Sequence, residues 1–205
     1  MAETKNSNFK EYVYPVIILT VIAMVATLLL AITNNVTTGV IEQRAIQAAN
    51  EARMKVLPDG DSFKQLDVKK YASSTDGSAN VTEAYAAENG AGDVFTVVTK
   101  SFGGDLTMMV GVGKDGAITG VTVTAHSDTP GVGTKDQDPD YLAQYDGKKE
   151  LTSEDVKKES GFQFISGASV SGGAIHKGVY AALEQYKELG GAQSWQKQRR
   201  VNSAF

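Results

Sequence analysis

Hydrophobic positions follow three different rhythms along this chain. Residues 13–32 read VYPVIILTVIAMVATLLLAI, twenty residues without a charge. At 1.5 Å rise per residue they span roughly 30 Å, the hydrocarbon thickness of a bilayer, and predict one transmembrane helix. A cleaved signal peptide has an apolar region of only about 7–15 residues followed by small residues. Here Thr33, Asn34 and Asn35 follow, so the anchor is expected to stay on the mature protein. Pro15 is expected in the first helical turn, where its missing N–H costs nothing. Beyond the anchor, Ile41, Ala45, Ala48, Ala52 and Val56 recur at helical spacing among Glu42, Arg44, Gln47, Glu51 and Arg53, ending at Pro58. This pattern predicts an amphipathic stalk helix. Residues 59–80 carry no strong pattern and read as loop with a short helix at most.

The period becomes two between Val81 and Ala125. Phe95, Val97 and Thr99 alternate with their neighbours. Leu106, Met108, Val110 and Val112 make one face, and Val121, Val123 and Ala125 another. Lys114-Asp115-Gly116 between the last two runs supplies the positive φ of a hairpin turn. An antiparallel meander is predicted. Gly111, Gly113 and Gly116 match the spacing of a dinucleotide-binding loop, but that loop must lead into a helix, and here the glycines lead into another strand. They read as a hairpin.

The last rhythm is helical again: Ile175, Val179, Leu183 and Tyr186 share a face, with Ser171 as the expected N-cap and Gly190 as the C-terminal stop. Before this helix stands Phe162-Gln-Phe-Ile-Ser-Gly-Ala-Ser-Val-Ser171. Free N–H groups and the positive end of the helix dipole make its start an anion site, and Gly167 lets backbone approach closely. Phe162, Phe164 and Ile165 are candidates to support a flat ring, although core packing is the simpler reading. Ser169 lacks the G-x-S-x-G setting of a hydrolytic nucleophile. The other loop dense in turn formers is His126-Ser-Asp-Thr-Pro-Gly-Val-Gly-Thr-Lys135, following a strand end where binding loops sit. His126 is expected to be a hydrogen-bonded structural histidine and Asp128 a turn carboxylate.

Composition narrows the chemistry. The 205 residues contain no cysteine and two histidines, which excludes thiolate-held clusters, disulfides and thiol nucleophiles and leaves redox chemistry to an organic cofactor. A net charge of −4 and a pI near 5.2 argue against nucleic acid as a partner. Lys5 and Lys10 precede the anchor, while nothing basic follows it before Arg44, so the N-terminus is expected in the cytoplasm.

Ser166-Gly-Ala-Ser169 entering a helix, preceded by Thr129-Pro-Gly-Val-Gly133, resembles the FMN-binding domain of the G subunit of the Rnf electron-transport complex. That domain is shared with the C subunit of the sodium-pumping NADH:quinone reductase. The resemblance implies an α+β protein with one transmembrane helix, a stalk helix and an antiparallel-sheet FMN-binding domain with flanking helices. In order these are residues 1–12 in the cytoplasm, 13–32 the anchor, 33–58 the stalk, 59–190 the FMN domain and 191–205 a tail. It also implies FMN joined covalently by a phosphoester to Ser169, with Ser166, Gly167, Ala168, Thr129, Pro130, Gly131, Val132 and Gly133 as flavin neighbours. Serine stands at 169 where the family usually has threonine, Gln163 where it has aspartate, and Val132 where it has leucine.

The implied function is electron relay within an ion-translocating ferredoxin:NAD oxidoreductase, without a catalytic or metal site of the chain's own. The implied partners are other membrane and redox subunits, a flavin transferase and the lipid bilayer, with the FMN domain outside the cytoplasm. The corresponding component of the quinone reductase, or an anchored ligand-binding or assembly module without cofactor, are the alternatives.

Overall fold

A computed structural model describes residues 4–163 and 165–190. Residues 1–3, Phe164 and the expected tail 191–205 lie outside the described residues. The chain divides into two units at Ala48/Ala49.

Every described residue of the first unit is helical. Helix α1 runs Thr4–Val56 without interruption, so anchor and stalk are one helix and not two. Pro15 accordingly lies in the helix interior, not in its first turn. Its ring removes one hydrogen bond to the carbonyl four residues before it. One 18-residue window reaches a mean hydropathy of 2.8, long and apolar enough to cross a membrane. The hydroxyls of Thr20, Thr27, Thr33 and Thr38 donate to the carbonyls of Val16, Ala23, Leu29 and Asn34 at 2.6–2.9 Å. A hydroxyl satisfied by its own helix is tolerable in lipid, where an unpartnered polar group costs several kcal/mol.

The second unit starts with the last turns of α1 and is built on one sheet. Its strands are β1 (Phe63–Gln65), β2 (Ala79–Ala87), β3 (Gly92–Ser101), β4 (Gly104–Gly113) and β5 (Ile118–Ala125). All neighbours pair antiparallel in the order β1-β2-β3-β4-β5, which is the predicted meander. Gly113, Asp115 and Gly116 close the β4–β5 turn: Gly116 sits at φ 81°, and its N–H donates to the Gly113 carbonyl at 2.8 Å. The segment 59–80 contains β1 and an isolated bridge between Ser73 and Asn80, and no helix.

Two further helices follow, the short α2 (Pro139–Leu142) and the long α3 (Ser169–Glu188). α3 lies on one face of the sheet, where Ile175, Val179 and Leu183 pack with Phe95, Val97, Met108 and Val110. Gly178 lets it come close, since a Cβ there would stand 2.6 Å from the Met108 sulfur. Gly190, at φ 87°, stops the helix as expected.

On the opposite face Val56 and Leu57 pack with Ala87, Val94 and Met109. Two glycines paired across β4 and β5, Gly111 and Gly120, face this contact: a Cβ on Gly111 would stand 2.2 Å from the Val56 carbonyl oxygen, and one on Gly120 would be tight against the Val56 backbone at 3.1 Å. The Thr119 hydroxyl donates to the Val56 carbonyl at 2.5 Å, and the Arg53 guanidinium lies 3.6 Å over the Tyr85 ring. Of the expected apolar stripe of the stalk, only Ala52 and Val56 are drawn in, together with Ala49. Ile41, Ala45 and Ala48 stay exposed.

Candidate functional site

The loop after β5 is held from below by Asp128. This carboxylate is buried. One oxygen accepts from the Ser101 hydroxyl at 2.6 Å and, at 3.3 Å, from the Gln137 amide. The other accepts from the Gly103 N–H at 2.8 Å. Asp128 therefore does more than shape its own turn, because it ties the loop to the β3–β4 hairpin. Above it the N–H groups of Val132 and Gly133 donate to the Thr129 carbonyl at 3.2 and 3.1 Å. Gly131, at φ 77°, donates to the Thr134 hydroxyl at 2.9 Å. His126 is exposed and makes no side-chain hydrogen bond among the described residues, contrary to the expected structural role. It directly follows Ala125, the last residue of β5.

The loop before α3 turns at Gly167, whose φ of 88° is open to glycine without strain. The Ala168 N–H donates to the Ile165 carbonyl at 3.1 Å, and the Ala168 carbonyl takes the first helical bond, from Gly172 at 2.9 Å. The N-cap is thus Ala168, with no side-chain cap, and not Ser171. Because the Gly167 turn starts the helix three residues sooner, Ser171 falls inside the first turn and is buried. Ser169 becomes the first helical residue, with its side chain exposed. The first N–H groups of α3 have no intrahelical acceptor and no side-chain cap, which leaves them as donors for an anion.

The two loops meet. Phe102, Asp128, Thr129, Val132, Gly133, Gly167, Ala168, Val170 and Ser171 line a single cleft of about 260 Å³. Of the residues expected from sequence, Thr129, Val132, Gly133, Gly167 and Ala168 are brought together there. Pro130, Gly131, Ser166 and Ser169 are exposed and do not line it. Phe102, at the tip of the β3–β4 hairpin, and Val170 are additions that sequence reasoning misses. The only signal for Phe102 is an aromatic residue standing directly before two glycines. Among the described residues beyond α1, the large apolar side chains left exposed are Phe102 at 78%, Val132 at 50% and Val170 at 54%. All three belong to this cleft.

Phe162 is not part of it. Its ring packs in the core, 5.0 Å from Tyr145 and 5.2 Å from His176. His176 is fully buried. Its Nε2–H donates to the Ser153 carbonyl at 3.0 Å, which leaves Nδ1 to accept from the Tyr145 hydroxyl at 3.3 Å. Burial lowers its pKa, so it is a neutral structural imidazole. Ile165 and Gln163 line a separate, shallower depression with Lys135 and Tyr141.

Beneath the first turn of α3 lies a second buried carboxylate, Asp136, with neither oxygen hydrogen-bonded among the described residues. Burial raises its pKa to about 6, the negative charge of Asp128 adds to that, and the Gly172 N–H opposes it.

Known proteins resemble this chain along most of its length. The pattern of the FMN-binding domain family matches residues 101–184, which contain both loops and Phe102. The G subunit of the Na(+)-translocating ferredoxin:NAD(+) oxidoreductase complex of Acetobacterium woodii is 32% identical over 84% of this chain and 90% of its own. The G subunit of the proton-translocating complex of Clostridium ljungdahlii is 27% identical over 82% and 87%. Among solved structures, NqrC of Shewanella oneidensis is 22% identical, covering 73% of this chain and 74% of its own at a TM-score of 0.41.

Proposed function

This chain belongs to the G-subunit family of ion-translocating ferredoxin:NAD(+) oxidoreductase complexes, and from that premise we propose that it is a membrane-anchored electron relay with FMN attached at Ser169. The observation that carries the reading is the start of α3: an exposed serine at the first helical position, beside unpaired N–H donors and next to a cleft with three exposed apolar walls. A flavin phosphate matches the donors and a flat ring matches the walls. Relatives named as G subunits at 27–32% identity favour this complex over the quinone reductase.

Attachment is a phosphoryl transfer. The Ser169 hydroxyl gives up its proton and forms a bond to phosphorus, while an anhydride P–O bond of an activated flavin donor breaks and the leaving phosphate takes the electron pair. A flavin transferase supplies the donor. Serine lacks the methyl that restricts the rotamers of threonine, but its hydroxyl forms the same ester. Bound FMN supplies reversible uptake and release of electrons, which is the chemistry the cofactor brings to its protein.

The chain's own residues position and retain it. The N–H groups of the first α3 turn would face the ester's negative charge, an interaction of about 0.3–1 kcal/mol. Gly167 and Gly133 keep the backbone low beside the cleft, and Thr129, Val132 and Gly133 form its far wall. Ion and electron partners are then the membrane and redox subunits of the complex.

The intact mass of the full-length protein from its own host tests the reading. The unmodified chain is expected to carry one added FMN that survives denaturation, Ser169→Ala none, and Ser169→Thr the same as the unmodified chain. Denaturation-stable flavin on the Ala variant would move the attachment elsewhere.

A further inference from the structure

We propose that Phe102 packs against the face of the flavin ring and that Asp128 is its positioning residue. The proposal rests on the reading of Ser169 as the attachment point and goes beyond it to a third wall of the site. A hairpin tip is a place for polar residues and glycine, yet the β3–β4 turn presents a phenyl ring that is 78% exposed to the cleft rather than folding it into either core.

Asp128 holds the turn that carries that ring from both sides in sequence. It accepts from the hydroxyl of Ser101, immediately before Phe102, and from the N–H of Gly103, immediately after it. Charge-assisted bonds of this kind are the strong ones. Gly103 cannot carry a side chain, because a Cβ there would run into the carbonyl of Ser127. The hairpin tip is therefore locked onto the loop that runs through Thr129 to Gly133, and Phe102, Val132 and Val170 converge from three separate elements.

The occupant follows from reach and shape. Ala168 and Val170, on either side of Ser169, both line the cleft, so a ring tethered at Ser169 starts at its edge. About 260 Å³ is less than the roughly 300–1,000 Å³ of enclosed ligand sites. A flavin ring would therefore rest against an outer wall that stays open to solvent, which is where Phe102 stands. Apolar surface removed from water stabilises the contact, and an aromatic face adds an offset-stacking term.

Iodide quenching of flavin fluorescence in the full-length, detergent-solubilised protein tests this, with intact mass read on the same samples. Phe102→Ala is expected to raise the quenching constant about twofold or more, because one aromatic wall is gone, with the flavin mass retained. Phe102→Trp is expected to lower flavin emission below that of the unmodified protein, since an indole in contact donates an electron to the excited ring. Asp128→Asn, with Phe102 intact, should move the quenching constant toward the Ala value. Unchanged quenching and emission in both Phe102 variants, with flavin mass present, overturns the contact and leaves Phe102 as a surface for another protein of the complex. No effect of Asp128→Asn overturns its positioning role. Absence of flavin mass from the unmodified chain overturns this proposal and the attachment reading together.

Discussion

Asp93 is a single residue with a measurable consequence. It lies on β3, fully buried, with neither carboxylate oxygen hydrogen-bonded among the described residues. Burial raises its carboxyl from the ordinary 3.8 to about 7, and Tyr186 of α3 is near enough to feel its charge. An acid whose pKa is higher folded than unfolded holds its proton in the native state after the unfolded chain has lost it. Its contribution is therefore fully present below about pH 4, falls as pH rises toward 7, and is constant above that. At 1.36 kcal/mol per pKa unit the fall is at most roughly 4 kcal/mol. Asp93→Asn is expected to flatten this decline, so that urea titrations of the two proteins at pH 4 and pH 7 diverge only at the higher pH. Parallel pH profiles would mean that Asp93 is solvated or paired. Single residues are also where the sequence is least legible. Gly116, Gly167 and Gly190 announce their turns, because positive φ selects glycine. Phe102 and Asp128 do not announce theirs, since their roles depend on two loops that are adjacent only after the sheet has formed.

Elements are legible where one period holds for long enough. β3 and β4 pair without a register shift, and their long apolar runs, buried on both faces, are plain. β2 shifts register between Val81 and Glu83, and β1 is three residues long, so neither displays a clean period of two. Residues 33–40 are polar and β-branched, a composition that suggests a break between anchor and stalk, yet Thr33 and Thr38 turn their hydroxyls back onto the helix and nothing there interrupts it. The close approach of the end of α1 to β4 and β5 has no sequence signal beyond two glycines. Gly111→Val tests it. The new side chain must displace the Val56 backbone and the Thr119 hydroxyl, which a Cβ would meet at 2.6 Å. Overpacking of this kind costs about 1–3 kcal/mol. A lowered denaturant midpoint with an unchanged slope is the expected result. An unchanged midpoint would show that this joint is loose.

At the scale of the molecule, an apolar helix and an open cleft of about 260 Å³ are joined in a single chain, and the side of the membrane decides which solvent the cleft meets. Lys5 and Lys10 before the span, against nothing basic until Arg44, favour a cytoplasmic N-terminus and an outward domain. Protease added to intact spheroplasts is expected to digest the domain while the span remains attached to the mature N-terminal segment. Protection until lysis would reverse the orientation. The exposure of Ser169 on a helix end also bears on the order of events under the proposed attachment. If Ser169 takes the flavin as proposed, a transferase would reach it at the surface without unfolding the helix that presents it. On the proposed attachment, folding and loading would be separable steps in the life of the chain, and a folded domain that has not yet met its transferase would be a substrate of maturation rather than a failed product.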